Sequence, residues 1–104
     1  MVELTLDTDI GSDVDDLMAL AMVLGSAEMN LRAVTTVYGD TLLRARIVRR
    51  AYGVALRTAP LVAPGARETR SDRPVWWAGH EGALMPDLGA AACGICGLGG
   101  GSVA

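Results

Sequence analysis

The sequence predicts an α/β protein, a parallel sheet with flanking helices. Three observations carry that expectation. Short β-branched or alternating apolar runs are interleaved with longer runs rich in Leu, Ala and Arg. Their order along the chain is strand, helix, strand, helix, strand, the βαβ pattern of a parallel sheet. Asp- and Gly-bearing loops follow the first two strands, at the sheet edge where open α/β folds bind ligands.

Val2, Leu4 and Leu6 alternate with Glu3 and Thr5, which marks a first strand. From Asp15 to Leu24 the chain is rich in Leu, Met and Ala, all good helix formers. Asp13 or Ser12 is placed to cap that helix and Gly25 to end it. It is apolar almost all round, so burial on more than one side is expected. Leu31 to Val37 reads as a second strand, broken by Gly39 and Asp40. A second helix is expected over Thr41 to Arg57. Its inward stripe is Leu43, Ile47, Ala51 and Val54 or Ala55, with Arg44, Arg46, Arg49 and Arg50 facing outward or sideways. Pro60 precedes a short strand, Leu61 to Ala63, which stops at Pro64-Gly65.

Beyond Ala66 the regularity fades. Residues 1–88 are expected to form one domain. The Gly/Ala/Cys-rich tail, 89–104, has too little apolar bulk to pack and is expected to be mobile. Its Cys93-Gly-Ile-Cys96 resembles half a zinc or redox site, but no second Cys or His pair follows to close it. No internal repeat is present.

With 51% apolar residues, 20% charged residues and a net charge of −3, the composition is that of a soluble globular chain. Mild acidity argues against nucleic acid as a partner. The longest apolar stretch, Leu17 to Leu24, is too short to cross a bilayer. Glu3, Asp7 and Asp9 interrupt any signal-peptide pattern, so a cytoplasmic location is the expectation.

The chemistry concentrates in Asp7-Thr8-Asp9-Ile10-Gly11-Ser12-Asp13-Val14-Asp15-Asp16, which holds five carboxylates within ten residues. Clustered at a strand-to-helix junction, these groups repel one another strongly in a partly dry cleft. A hard divalent cation held by oxygen ligands relieves that repulsion, and Ca²⁺ tolerates irregular geometry best. A water beside such a cation and a carboxylate base is a ready nucleophile. The bland alternative makes Asp13 and Asp16 helix caps and the others solvated charges. An EF-hand is excluded: counting from Asp7, the glycine falls at the fifth position and Met18 at the twelfth. Asp-x-Asp after a first strand also opens the haloacid-dehalogenase-like phosphatases, which makes Asp7 a nucleophile and Asp9 a general acid in an alternative reading.

The acidic motif followed by Leu17-Met-Ala-Leu20, together with Ala33-Val-Thr-Thr-Val-Tyr-Gly-Asp-Thr41 and Trp77-Ala-Gly-His-Glu-Gly82, resembles the N-terminal part of the inosine–uridine-preferring nucleoside hydrolases. The likeness covers roughly residues 2 to 88. It implies a Rossmann-like core, Ca²⁺ as cofactor, a nucleoside substrate and a homo-oligomeric full-length form. The implied reaction is hydrolysis of the N-glycosidic bond to ribose and free base through an oxocarbenium-like transition state.

Carried over by position, Asp9 matches the aspartate that is both metal ligand and base. Asp16 matches the second metal carboxylate, and Asp15 its neighbour at the ion and the ribose hydroxyls. Asp40 stands where an Asn commonly faces the ribose, and His80 falls near the base-side histidine. For His80 a loop histidine bonded to backbone is the competing assignment, and Trp76 and Trp77 are expected to pack rather than stack on a base. Better-known members have Gly-x-Asp-Asp where this chain has Gly11-Ser-Asp-Val-Asp-Asp16, so Asp13 and Asp15 both remain candidates for the sugar contact. The family's C-terminal half supplies a further metal Asp, a carbonyl ligand, a leaving-group His and Asn/Glu contacts, none matched here. The expectation is a truncated hydrolase with about half of its site, or a non-catalytic remnant that binds a cation or a partner.

Overall fold

Five elements follow one another in the computed structural model, which describes residues 1–76, 81–83, 85 and 88. They are β1 (Val2–Thr8), α1 (Asp15–Gly25), β2 (Met29–Thr36), α2 (Thr41–Val54) and β3 (Leu61–Pro64). The strands form one parallel sheet in the order β1-β2-β3. The expected α/β architecture is therefore present, and its two loops of interest leave the carboxyl ends of β1 and β2. No helix among the described residues is long and apolar enough to cross a membrane.

Register places the core. Leu6 lies opposite Val34, and Val34 opposite Val62, so these three share one sheet face. Leu20 of α1 and Ala45, Ile47, Val48 and Tyr52 of α2 close over that face, joined by Ile10 from the acidic loop. Each large aliphatic side chain fully removed from water there contributes about 1.5–3 kcal/mol. The opposite face exposes Glu3, Thr5, Asp7 and Leu61. The β1–β2 register slips between Leu4 and Thr5, where Leu4 pairs with Leu31 and Thr5 with Ala33. Arg32 is the extra residue of this bulge. Its guanidinium meets Glu3 at 3.5 Å in water, a pair of small energetic value.

Several expectations need correction. α1 is buried along one side only, through Leu20, while Val14, Met18 and Met22 stand in solvent with Met22 73% exposed. Its first turn has no side-chain cap: Val14 occupies the N-cap, and neither Asp13 nor Ser12 bonds there. α2 ends at Val54, three residues before Arg57, because Leu56 takes a left-handed φ of 54°. Arg57 N then donates to Tyr52 O and Leu56 N to Gly53 O, which closes the helix in a Schellman-type turn. Arg44, expected outside, is fully buried. The tail, Cys93, Cys96, Trp77 and His80 all lie outside the described residues.

Candidate cation and sugar site

The acidic loop begins where β1 ends. Thr8 is buried against the core, and its hydroxyl organises the turn in two directions. Oγ1 accepts from Ile10 N at 3.1 Å and donates to Asp16 Oδ2 in the first turn of α1. Ile10 drops into the core as an anchor. Gly11 then reverses the chain with φ +114°, and a Cβ there would stand 2.5 Å from Ile47 Cδ1. Only glycine combines that torsion with that approach.

Anchoring the two ends of the loop in this way brings Asp9 and Asp16 together. The Asp9 carboxyl is held above the usual aspartate range, first by its hydrogen bond with Asp16, then by burial and by the negative charge of Asp16. Asp16 is held below that range, first by the Thr8 hydroxyl, with help from Asp9 and Arg44 against the opposing effect of burial. The two carboxyls are thus pushed apart in proton affinity, Asp9 upward and Asp16 downward, as expected where two like charges meet. The N-terminus of α1, carrying Asp15 and Asp16, adds partial positive charge beneath them.

A cavity of about 440 Å³ opens over this pair, lined by Asp9, Ser12, Asp13, Asp15, Asp16, Tyr38 and Trp76. Asp9, Asp15 and Asp16 are therefore brought to one place, with Asp13 beside them. Trp76, expected as a packing residue, is 78% exposed and forms a wall of the cavity. Asp40 is elsewhere: its Oδ1 accepts from Leu43 N at 3.0 Å as the cap of α2. It lines a separate cavity with Gly39, Leu43, Arg67, Glu68, Val75 and Glu81. Asp7 accepts from Thr35 Oγ1 at 2.6 Å and is not among the residues lining the Asp9 cavity.

The donor set suits a hard divalent cation in kind: two convergent carboxylates with further carboxylates on the same cavity, and oxygen donors only. Among the described residues no group of three or more His, Cys, Asp or Glu side chains is placed to hold a metal ion.

Arg44 is the residue that periodicity hid. Its Nε donates to Tyr38 O at 2.7 Å, and Nη1 donates to Asp9 O at 2.6 Å and Ile10 O at 2.9 Å. Nη2 donates to Ser12 Oγ at 3.0 Å and to Glu81 Oε1 at 3.1 Å. Tyr38 itself sits at φ 72°, a left-handed conformation uncommon outside glycine and asparagine. Beyond the strand ends, Tyr38 N donates to Ala66 O and Gly39 N to Arg67 O, which hold this loop in place. The available signal was a mismatch: a loop so rich in acid needs a cation somewhere, and Arg44 opens the helix that follows the second loop. No family model, no curated protein and no solved structure matches this chain.

Proposed function

We propose that this chain carries the cation- and sugar-binding part of a nucleoside N-ribohydrolase site built on a nucleoside hydrolase-type core. The observation that carries the proposal is the convergence of Asp9 and Asp16 at the end of β1, under an open cavity lined by further carboxylates. In this reading Asp9 and Asp16 hold Ca²⁺. Asp15 reaches the ribose hydroxyls from the rim and His80 is a substrate contact assigned by resemblance, whereas Asp40, which caps α2 and lines a different cavity, has no part in this reading. Ca²⁺ held there by Asp9 and Asp16 would supply positive charge that lowers the pKa of a water and attracts sugar hydroxyls.

The protein's own groups supply the rest. Asp9, on the cavity lining, is the carboxylate placed to accept a proton from water as that water attacks the anomeric carbon. The electron pair of the breaking C–N bond leaves with the base, and the sugar takes on oxocarbenium character. The carboxylates of Asp13, Asp15 and Asp16 favour that developing positive charge over the neutral substrate.

Calorimetry with Ca²⁺ tests the first step, and release of reducing sugar from inosine and uridine tests the second. Binding heat with wild type and none with Asp9→Asn is the expected result. Absence of heat and of any thermal shift in wild type sinks the proposal. Turnover of a phosphate ester that is lost in Asp7→Asn would establish the phosphatase alternative instead, although the Asp7–Thr35 hydrogen bond offers it no support.

A further inference from the structure

We infer that Arg44 is the positioning residue of the acidic site, with Glu81 as its charge partner; this rests on the cation proposal above. A guanidinium has five N–H donors, and here each has an acceptor: Tyr38 O, Asp9 O, Ile10 O, Ser12 Oγ and Glu81 Oε1. Three of these are main-chain carbonyls of loops, and Arg44 is their buried partner. The planar fork therefore dictates where Asp9, Ile10 and Ser12 lie relative to Tyr38. Holding the Asp9 main chain places its Cβ, the point from which the carboxyl reaches Asp16.

Charge explains the partner. Both side chains of the Arg44–Glu81 pair are at most 1% exposed, 3.1 Å apart. An isolated buried guanidinium beneath a cation site would repel the incoming ion. Glu81 cancels it, so the clamp fixes the loop through hydrogen bonds while leaving the negative field of Asp9 and Asp16 for the ligand. Gly11 belongs to the same device, since its Cα carries the loop over Ile47 and Arg44 with no room for a side chain.

The test uses the full chain with Tb³⁺ as a Ca²⁺ surrogate, excited through Trp76 in the cavity wall, and amide exchange at Ile10 in the cation-free protein. Arg44→Lys keeps the charge but has three donors in place of the fork. It is expected to weaken Tb³⁺ by about tenfold and to speed exchange at Ile10 while Val34 stays protected. Arg44→Ala should lose more, and millimolar guanidinium should restore both signals, which a general loss of folding does not allow. Glu81→Gln keeps an acceptor for Nη2 and should weaken Tb³⁺ by about tenfold through charge alone, with Ile10 exchange unchanged. Wild-type affinity and wild-type Ile10 exchange in Arg44→Lys overturn the positioning role. Wild-type affinity in Glu81→Gln overturns the charge role. No terbium signal in wild type, with Ile10 still protected, overturns the cation proposal itself and is distinguished by that protection.

Discussion

Arg44 Nη1 donates to the main-chain carbonyl of Asp9 across 2.6 Å, joining the first turn of α2 to the end of β1. The two residues are 35 positions apart in the chain. Through this contact the helix that packs the core also sets the geometry of the acidic loop.

Removing the guanidinium should therefore be severe. Arg44→Met removes the guanidinium from the buried Glu81 carboxyl and from three loop carbonyls, and the expected loss is about 3–5 kcal/mol by urea unfolding. A simple buried ion pair recovers when both partners become apolar. Here the Arg44→Met/Glu81→Met double variant should stay destabilised by more than about 2 kcal/mol, because the Asp9, Ile10 and Tyr38 carbonyls remain without Arg44. Full recovery in the double variant would show that the carbonyls find other partners.

Two glycines should respond in opposite directions to alanine. Gly11→Ala meets Ile47 Cδ1 at 2.5 Å and a φ of +114°, for an expected loss of about 1–3 kcal/mol. Adding Ile47→Val removes the clashing methyl but not the torsional strain, so only part should return. Gly53→Ala, in α2 with nothing within 4 Å of the added carbon, should stabilise by about 0.5–1 kcal/mol. Thermal unfolding of the three proteins decides the order.

The Thr8 hydroxyl should be worth more than its size suggests, since it both accepts from Ile10 N and donates to Asp16. Thr8→Val keeps the volume and loses both bonds, for an expected cost of about 1–3 kcal/mol. Thr8→Ser should recover most of it. The Asp16 carboxyl, titrated by NMR, should move up in Thr8→Val and stay low in Thr8→Ser. An unmoved Asp16 in the valine variant would mean that the hydroxyl is not what holds it down.

Stability should depend on pH in a direction set by the pair. Asp9 binds its proton more tightly folded than unfolded, so its contribution is complete below the unfolded aspartate pKa of about 3.9 and is lost as pH rises through the raised value. Asp16 is the reverse: its contribution is present above the unfolded value and is lost as pH falls through the depressed one. Asp9→Asn supplies a permanent donor to Asp16 and should melt higher than wild type at pH 7 without divalent ions. The two should converge toward pH 4. Ca²⁺ should close the gap at pH 7 by stabilising wild type alone.

The strand and helix order was legible because each element announces itself locally. β1 alternates, β2 is rich in β-branched residues, β3 is a short apolar run between Pro60 and Pro64-Gly65, and the Leu/Met/Ala run of α1 tolerates little but helix. The convergence of Asp9 with Asp16 was also legible, since a strand end and a helix start joined by a short Gly-bearing loop leave the chain few other paths. Arg44 was not. Helical periodicity places it beside Leu43 at the edge of the inward stripe, and an arginine there is ordinarily solvated. What overrides that default is a set of loop carbonyls arriving from sequence positions 9, 10 and 38, which no local window contains.

Asp40 shows the same divide. The resemblance implied a ribose contact for it, and in the fold its carboxylate caps α2 and lines a different cavity. Local chemistry alone determined the elements, their order and the acidic character of the loop, because propensity and alternation act between near neighbours. Tertiary structure decided which charges are buried, which carboxylates meet and which residue holds them there. Those outcomes depend on hydrogen bonds between segments that approach only when the sheet and α2 have closed over a common core.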